Sequence, residues 1–237
     1  MNICLISYDV AHLKTKIILE HLIKKNKVFL IQSKFKKKKK LKTINNDRPD
    51  QFNKVSKNYI SKSNKNLLIK NWDKDDFVNF QNFKKEHKID IFLVCISKII
   101  PKNFLKGSIF INSHPGILPY ARGVDSFKKS IIKNYPIGNT LHIINERIDS
   151  GIILKRKLVN ITKKENFKSL CSKMILDEIY LLKNFKKFLK NKKIKVNENY
   201  HCSHMKIKNE INFNIDKIFL HKKNKLILIN ENYKEKL

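Results

Sequence analysis

Hydrophobic residues in the first 110 positions follow two alternating patterns: short continuous apolar runs, and stretches with an apolar residue every third or fourth position. The continuous runs predict strands at residues 2–7, 28–32, 67–69, 89–96 and 109–111. The periodic stretches predict amphipathic helices at residues 11–25 and 72–87. Strands that alternate with helices, and that are apolar on both faces, indicate an α/β fold. We expect an open, mostly parallel, Rossmann-like sheet with helices on both faces.

The second half of the chain continues these patterns up to about residue 190. A helix is predicted at 124–133, two strands at 140–145 and 152–159, and a long amphipathic helix at 166–189. Beyond this point polar residues are mixed with short apolar runs such as residues 225–229. We therefore predict one domain at residues 1–190, followed by a C-terminal extension at 191–237 without a core of its own.

Lysine dominates the charge of the chain. Lys and Arg together number 52 against 20 Asp and Glu, which gives a formal net charge of +32. Such a charge is typical of proteins that bind nucleic acid, but arginine, the better bidentate ligand for phosphate and guanine, occurs only at Arg48, Arg122, Arg147 and Arg156. The excess of Lys, Asn, Ile and Phe is typical of AT-rich coding. Nucleic-acid binding stays an alternative that we do not favour, and the lysine run at 36–40 is interpreted as a solvated loop.

Cysteine and histidine spacing bears on the cellular compartment and on metals. The four cysteines are far apart and form no CxxC pair, so we expect a reducing cytoplasm and neither a disulfide framework nor a zinc site. Only His201 and His204 have metal-like spacing, and a metal at this pair in the C-terminal extension is not expected. No apolar run approaches the ~18 residues of a membrane span. The start, MNICLISYDV, has no basic lead, so no signal peptide is expected either.

Glycine and proline mark a segment where the backbone has special requirements. All five glycines lie between residues 107 and 151, and four of the five prolines lie in nearly the same window. Glycine is needed for positive φ or close approach, and proline for rigid turns. An ordinary loop-rich stretch would also explain the cluster, so it indicates only where to search for a site.

Within this segment, polar side chains of three kinds follow predicted strands. Asn112 and His114 are two residues apart at a strand end, which places both on one side of an extended backbone. Asp149 follows the next strand in a turn closed by a glycine. A protonated imidazole and an amide can stabilise an oxyanion while a carboxylate keeps the imidazole cationic, which is sufficient for acylation of an amine. Taken alone, each motif also has an ordinary structural explanation.

The order of these motifs is more specific than any one of them. Along the chain come Asn112-Ser113-His114, then Leu118-Pro119 leading to Gly123, then Gly138-Asn139-Thr140-Leu141-His142, then Asp149-Ser150-Gly151. This series resembles the formyltransferase family, which includes the glycinamide ribonucleotide, methionyl-tRNA and nucleotide-sugar N-formyltransferases. The resemblance covers residues 88–160 well and the rest weakly.

The resemblance implies 10-formyltetrahydrofolate as the formyl donor, no metal, and the formyltransferase variant of the Rossmann-like fold. It implies catalytic roles for Asn112, His114 and Asp149, with Thr140 and His142 supporting them from behind. It also implies a pterin-binding backbone made by two segments, whose residues are Lys98, Ile99, Ile100, Ile144, Asn145 and Glu146.

The sequence does not name the amine that receives the formyl group, so we predict it by comparing this chain with each class of related enzyme. Glycinamide ribonucleotide enzymes have a Gly- and Ser-rich phosphate loop after the first strand, whereas residues 8–12 of this chain contain no glycine. Methionyl-tRNA enzymes add a C-terminal β-barrel, for which residues 191–237 are expected to be too few. The relatives that hydrolyse the donor carry an additional N-terminal domain that this sequence does not show. A small anionic molecule, most of all a nucleotide-linked amino sugar, is therefore the expected acceptor, and glycinamide ribonucleotide and methionyl-tRNA are kept as alternatives.

Two other possibilities remain open at this stage. The alternative from a different class is a non-catalytic, lysine-rich nucleic-acid-binding protein, although binding alone would not require the ordered motifs. A homodimer is compatible with the sequence but is not indicated by any feature of it.

Overall fold

The computed structural model describes residues 1–24, 26–35, 67–72, 77–190, 194–195, 211 and 214–235. The lysine run at 36–40 and the pair His201 and His204 lie outside the described residues. The strands are β1 Asn2–Tyr8, β2 Val28–Ser33, β3 Leu67–Trp72, β4 Ile89–Val94, β5 Ile109–His114, β6 Gly138–Ile143, β7 Ile152–Leu158 and β8 Ile194–Lys195. The helices are α1 Leu13–Leu22, α2 Phe77–Glu86, α3 Lys102–Leu105, α4 Ser126–Lys133, α5 Phe167–Lys183, α6 Phe185–Leu189 and α7 Ile215–Lys234. The predicted α/β class, with a mostly parallel sheet and helices on both faces, is confirmed.

The chain divides into two compact units, of which the first comprises Met1–Lys38, Asp50–Asn112 and Ile143–Glu146. Its strands are parallel and follow the order β3-β2-β1-β4-β5. Phenylalanines fill the core beneath them: the rings of Phe92 and Phe110 stack at 4.6 Å, and Phe80 lies 5.1 Å from Phe92. Because the strands are parallel, their carboxyl ends share one edge, where open α/β sheets bind ligands.

The second unit comprises Lys39–Pro49, Ser113–His142 and Arg147–Leu237. In it β7 pairs antiparallel with β8, so that Ile152 lies opposite Lys195. The helices α4, α5 and α7 share an apolar core in which Phe127 stacks on Phe167 at 5.6 Å and Phe219 is fully buried. The C-terminal helix α7 therefore packs its apolar face against α4 and α5. Sequence analysis had assigned no regular structure to these residues.

Several predicted boundaries were wrong, and three of them concern predicted helices. Trp72 does not begin a helix but ends β3, where it pairs with Ser33. Helix α4 begins at Ser126 rather than at residue 124, because Asp125 takes a left-handed backbone with φ 56°. The long helix predicted at 166–189 is broken at Asn184 into α5 and α6.

Strand β6 begins two residues earlier than predicted, at Gly138. A Cβ atom there would lie 2.3 Å from the carbonyl oxygen of Lys157 on β7. Only glycine permits this approach, which accounts for one of the five clustered glycines.

Candidate active site

His114, the last residue of β5, is held between two hydrogen-bond acceptors. It is buried, with 4% of its surface exposed. Its Nε2 lies 2.7 Å from the carbonyl oxygen of Ala121, and its Nδ1 lies 3.4 Å from Oδ2 of Asp149. Since a carbonyl oxygen can only accept, Nε2 carries a hydrogen, and a second hydrogen on Nδ1 would satisfy the carboxylate. This arrangement orients the ring between the Ala121 carbonyl and the Asp149 carboxylate.

Gly116 makes room for this arrangement. A Cβ atom at residue 116 would lie 2.6 Å from the Ala121 oxygen and 3.0 Å from Nε2 of His114. Any larger residue would push the two partners apart. The glycine therefore permits the contact that orients the ring, which the sequence pattern alone did not reveal.

Asp149 occupies a left-handed position, with φ 48°, and its side chain is largely buried. Oδ2 accepts the N–H of Gly123 at 2.8 Å, and Oδ1 lies 3.7 Å from Nε2 of His142. Burial alone would raise the pKa of Asp149, but the positive charges of His114 and His142, the Gly123 N–H and Arg122 outweigh it. The pKa of Asp149 is therefore lowered from its ordinary value, and the group is a carboxylate at neutral pH.

His142 and Thr140 lie on β6 and are both buried. The rings of His142 and His114 meet edge to face at 6.4 Å. The hydroxyl of Thr140 donates to the carbonyl of Gly116 at 2.7 Å and accepts the N–H of Leu118 at 3.0 Å. Thr140 thus fixes the loop that follows β5, and the supporting roles of Thr140 and His142 stay predictions.

Arg122 was seen in the sequence only as part of the leucine-proline loop, with no role. Arg122 is buried, with 9% of its surface exposed. Its positive charge helps to lower the pKa of Asp149. Within the described part of the chain, its Nε and Nη2 find no hydrogen-bond acceptor. Nearby, Arg156 donates from Nε to the carbonyl of Leu118 at 2.8 Å. No spacing in the sequence indicated either contact.

Asn112 belongs to the first unit, where it pairs with Val94 across β4 and β5. It is half-buried and precedes His114 by two residues on the same strand. Its predicted catalytic role therefore rests on alternation along β5 and on the motif.

The residues predicted to bind the pterin all lie in the first unit. Ile100 is buried in the apolar cluster of Phe104 and Phe110, and Ile144 packs against the same cluster. The N–H of Ile144 donates to the Phe110 carbonyl at 2.8 Å. The two predicted segments, 98–100 and 144–146, are therefore joined through one core.

The side chains of these segments differ in what they can offer a ligand. Ile99 is 74% exposed, and Glu146 forms an ion pair with Lys102 at 2.5 Å. The ammonium of Lys98 donates to Oγ of Ser33 and to the carbonyl of Lys34, each at 2.7 Å. Ile99 is therefore an exposed apolar side chain, whereas the charged groups of Lys98 and Glu146 are already paired.

Metal and membrane features were searched in the same part of the chain. Among the described residues, no group of three His, Cys, Asp or Glu side chains could hold a metal ion. None of the helices described is long and apolar enough to cross a bilayer. Cys4, Cys95 and Cys171 are buried free thiols.

Comparison with known proteins identifies one family, with relatives that are similar in sequence and others that are similar in structure. A family model described as formyl transferase matches residues 4–182. A methionyl-tRNA formyltransferase of Wolbachia pipientis subsp. Culex pipiens is 32% identical over 133 residues, which is 54% of this chain and 44% of that protein. This chain therefore spans less than half the length of that relative.

Solved structures share the fold at lower identity. A sugar N-formyltransferase from a Shewanella species superposes with a TM-score of 0.58 at 18% identity, over 91% of this chain and 87% of that one. A phosphoribosylglycinamide formyltransferase from Anaplasma phagocytophilum gives a TM-score of 0.57 at 14% identity, over 84% and 94%. At these identities the likeness shows the fold alone.

Proposed function

The chain belongs to the formyl transferase family, and on that premise we propose that it transfers the formyl group of 10-formyltetrahydrofolate to a primary amine. The observation that carries the proposal is the orientation of His114, held between the Ala121 carbonyl and the Asp149 carboxylate. Because each ring nitrogen faces an acceptor, the buried imidazole is held in one orientation beside the Asp149 carboxylate.

Bound 10-formyltetrahydrofolate supplies an activated formyl carbon for the amine to attack. Asn112 donates its amide N–H to the oxygen on which negative charge grows, and cationic His114 stabilises the same charge. Asp149 keeps the imidazole in its cationic form and accepts a proton as the amine becomes an amide. Arg122 and the Gly123 N–H keep Asp149 ionised.

The acceptor is a finer question, and two observations favour an aminoacyl-tRNA. The Wolbachia relative with 32% identity is named a methionyl-tRNA formyltransferase. The net charge of +32, although its lysine excess is typical of AT-rich coding, is also compatible with a polyanionic acceptor, because lysines attract phosphates by their charge. We therefore place methionyl-tRNA first. A nucleotide-linked amino sugar, favoured by the elimination from sequence, is the second candidate.

A donor assay tests both levels of the proposal. Purified protein is incubated with 10-formyltetrahydrofolate and, in turn, charged initiator tRNA, a nucleotide-linked amino sugar, glycinamide ribonucleotide or no acceptor, and released tetrahydrofolate is measured. We expect release only with a primary amine present, and fastest with the tRNA. His114→Ala should lower the rate by about 10²–10⁴-fold. The control is His221→Ala, at an exposed position of α7, which should leave the rate unchanged. Salt-dependent tRNA binding without any donor turnover would favour the non-catalytic alternative instead.

A further inference from the structure

The carboxyl ends of β1, β2 and β4 in the first unit are joined by a set of polar contacts that the proposed chemistry does not use. We call this set the strand-end network, and its members are Tyr8, Asp9, Ser33, Ser97 and Lys98. It lies where the predicted pterin-binding segment leaves β4. Tyr8 and Ser33 end β1 and β2, Asp9 follows β1 directly, and Ser97 and Lys98 lie in the turn after β4.

Tyr8 is the centre of the network. Its hydroxyl accepts the backbone N–H of Ser97 at 3.0 Å and is 2.8 Å from the Ser97 hydroxyl. Its ring is buried, with edge contacts to Phe35 at 5.0 Å and to His12 at 5.5 Å. One phenol group therefore holds both the backbone and the side chain of a residue 89 positions away in sequence.

Further contacts fix the same turn on either side of Ser97. The N–H of Cys95 donates to the carbonyl of Ile6 at 2.9 Å, and Ile100 is anchored in the apolar core. The Lys98 ammonium is bound at the end of β2. Asp9 completes the network: its N–H donates to the Ser33 carbonyl at 3.1 Å, and Oδ1 accepts the Phe35 N–H at 2.7 Å.

Loops after strands are ordinarily the mobile parts of a fold. A ligand that must order such a loop loses affinity, whereas a loop fixed in advance does not. Because the Lys98 side chain is already bound to β2, recognition by this turn falls to its backbone groups and to Ile99. Backbone recognition requires the turn to keep one conformation.

We propose that Tyr8 is a positioning residue for the pterin-binding turn at residues 97–100, so that it sets the affinity for the folate donor without taking part in the transfer step. This inference rests on the proposed function. It concerns a residue to which the ordered motifs assign no role.

The test is Tyr8→Phe, which keeps the ring and removes both hydrogen bonds to Ser97. Tetrahydrofolate is titrated into the full-length protein by calorimetry, so no acceptor is needed. Each hydrogen bond contributes about 0.5–1.5 kcal/mol, so the loss of both should raise Kd about five- to 150-fold. In turnover, KM for the donor should rise by a similar factor while kcat stays within about twofold. Tyr180→Phe, which removes an exposed phenol on α5, is the matched control and should leave both values unchanged.

Ser97→Ala is the second variant, because it removes only the side-chain bond and leaves the N–H bond to Tyr8. It should weaken binding by about two- to fivefold, and it carries the test if Tyr8→Phe does not fold. In the double variant the two losses should not add, since they share one hydroxyl.

The outcomes separate the two proposals. If wild-type protein binds tetrahydrofolate and Tyr8→Phe binds it equally well, the positioning role is refuted while the proposed function stands. A fall in kcat with unchanged KM would also refute it. If wild-type protein does not bind tetrahydrofolate at all, the proposed function fails, and this inference fails with it.

Discussion

The strand-end network of the first unit and the surroundings of His114 in the second are built from different interactions. The centre of the first is an uncharged contact between the Tyr8 hydroxyl and Ser97, and its charged members, Lys98 and Asp9, bind neutral backbone and hydroxyl groups. The second places a carboxylate among buried positive groups, so that its pKa is lowered despite burial. Neutral contacts fix a backbone for binding at any ordinary pH, while buried charges make a group reactive and pH-dependent. We therefore expect changes in the first to alter KM and changes in the second to alter kcat.

The largest expected effect is that of Asp149→Asn. Asparagine preserves the shape and can still accept the Gly123 N–H, but it removes the negative charge that favours cationic His114. We expect kcat to fall by about 10³-fold or more, with KM for the donor nearly unchanged. Steady-state kinetics measure this, and Asp216→Asn in the first turn of α7 is the control. A loss confined to KM would remove the distinction between the two regions.

Gly116→Ala should have the next largest effect. The new Cβ would meet the Ala121 oxygen and His114 Nε2, so the backbone must move and the imidazole must reorient. We expect activity to fall by about tenfold to a hundredfold and stability by about 1–3 kcal/mol.

Gly107→Ala gives a matched comparison for that change. Gly107 also resists substitution, because of φ +61°, but its Cβ would meet only the end of the Lys84 side chain. The Gly107→Ala variant should therefore lose about 1 kcal/mol of stability, while its kcat stays at the wild-type value. Equal loss of activity in both variants, measured per folded molecule, would mean that Gly116 acts through stability alone.

A third change separates folding from chemistry in the second unit. Asn230 of α7 accepts the Ile137 N–H at 2.8 Å and donates to the carbonyls of Ile137 and Val159 at 3.0 and 2.9 Å. Asn230→Ala removes the partner of the Ile137 N–H and of the Val159 carbonyl, while the Ile137 carbonyl keeps the Val159 N–H, at a cost of about 2–4 kcal/mol. Denaturant unfolding should show this loss, while kcat of the folded fraction stays near that of the wild type. A large fall in kcat would show that α7 also orients the reacting groups.

The smallest effect concerns pH. The folded-state pKa of Asp149 is lowered below an unfolded value of about 3.9. Its ionised form therefore contributes stability that is present above about pH 4 and is lost as pH falls through the folded value. Thermal unfolding between pH 2 and 6 should show that increment in wild type and not in Asp149→Asn. Tyr8→Phe should retain it, since the network contains no such contribution, and parallel curves for wild type and Asp149→Asn would contradict the assignment.

Much of the molecule followed from pattern alone. Continuous apolar runs such as residues 89–96 predicted parallel strands, because burial on both faces leaves no polar position within the strand. The ordered motifs located His114 and Asp149, which the structure brings within 3.4 Å. Their catalytic roles, and that of Asn112, stay predictions.

Local sequence could not predict which distant groups would meet. Tyr8 contacts Ser97 and Asn230 contacts Ile137 across 89 and 93 positions, and hydrogen bonds of that kind leave no periodic signal in the chain. Helix α7 was missed because only a few of its residues, such as Phe219 and Leu226, are buried. The sequence by itself determined the α/β class and the chemical groups of the site. The tertiary structure decided the orientation of His114, the charge around Asp149 and the contacts of the turn after β4, because each depends on atoms that only folding brings together.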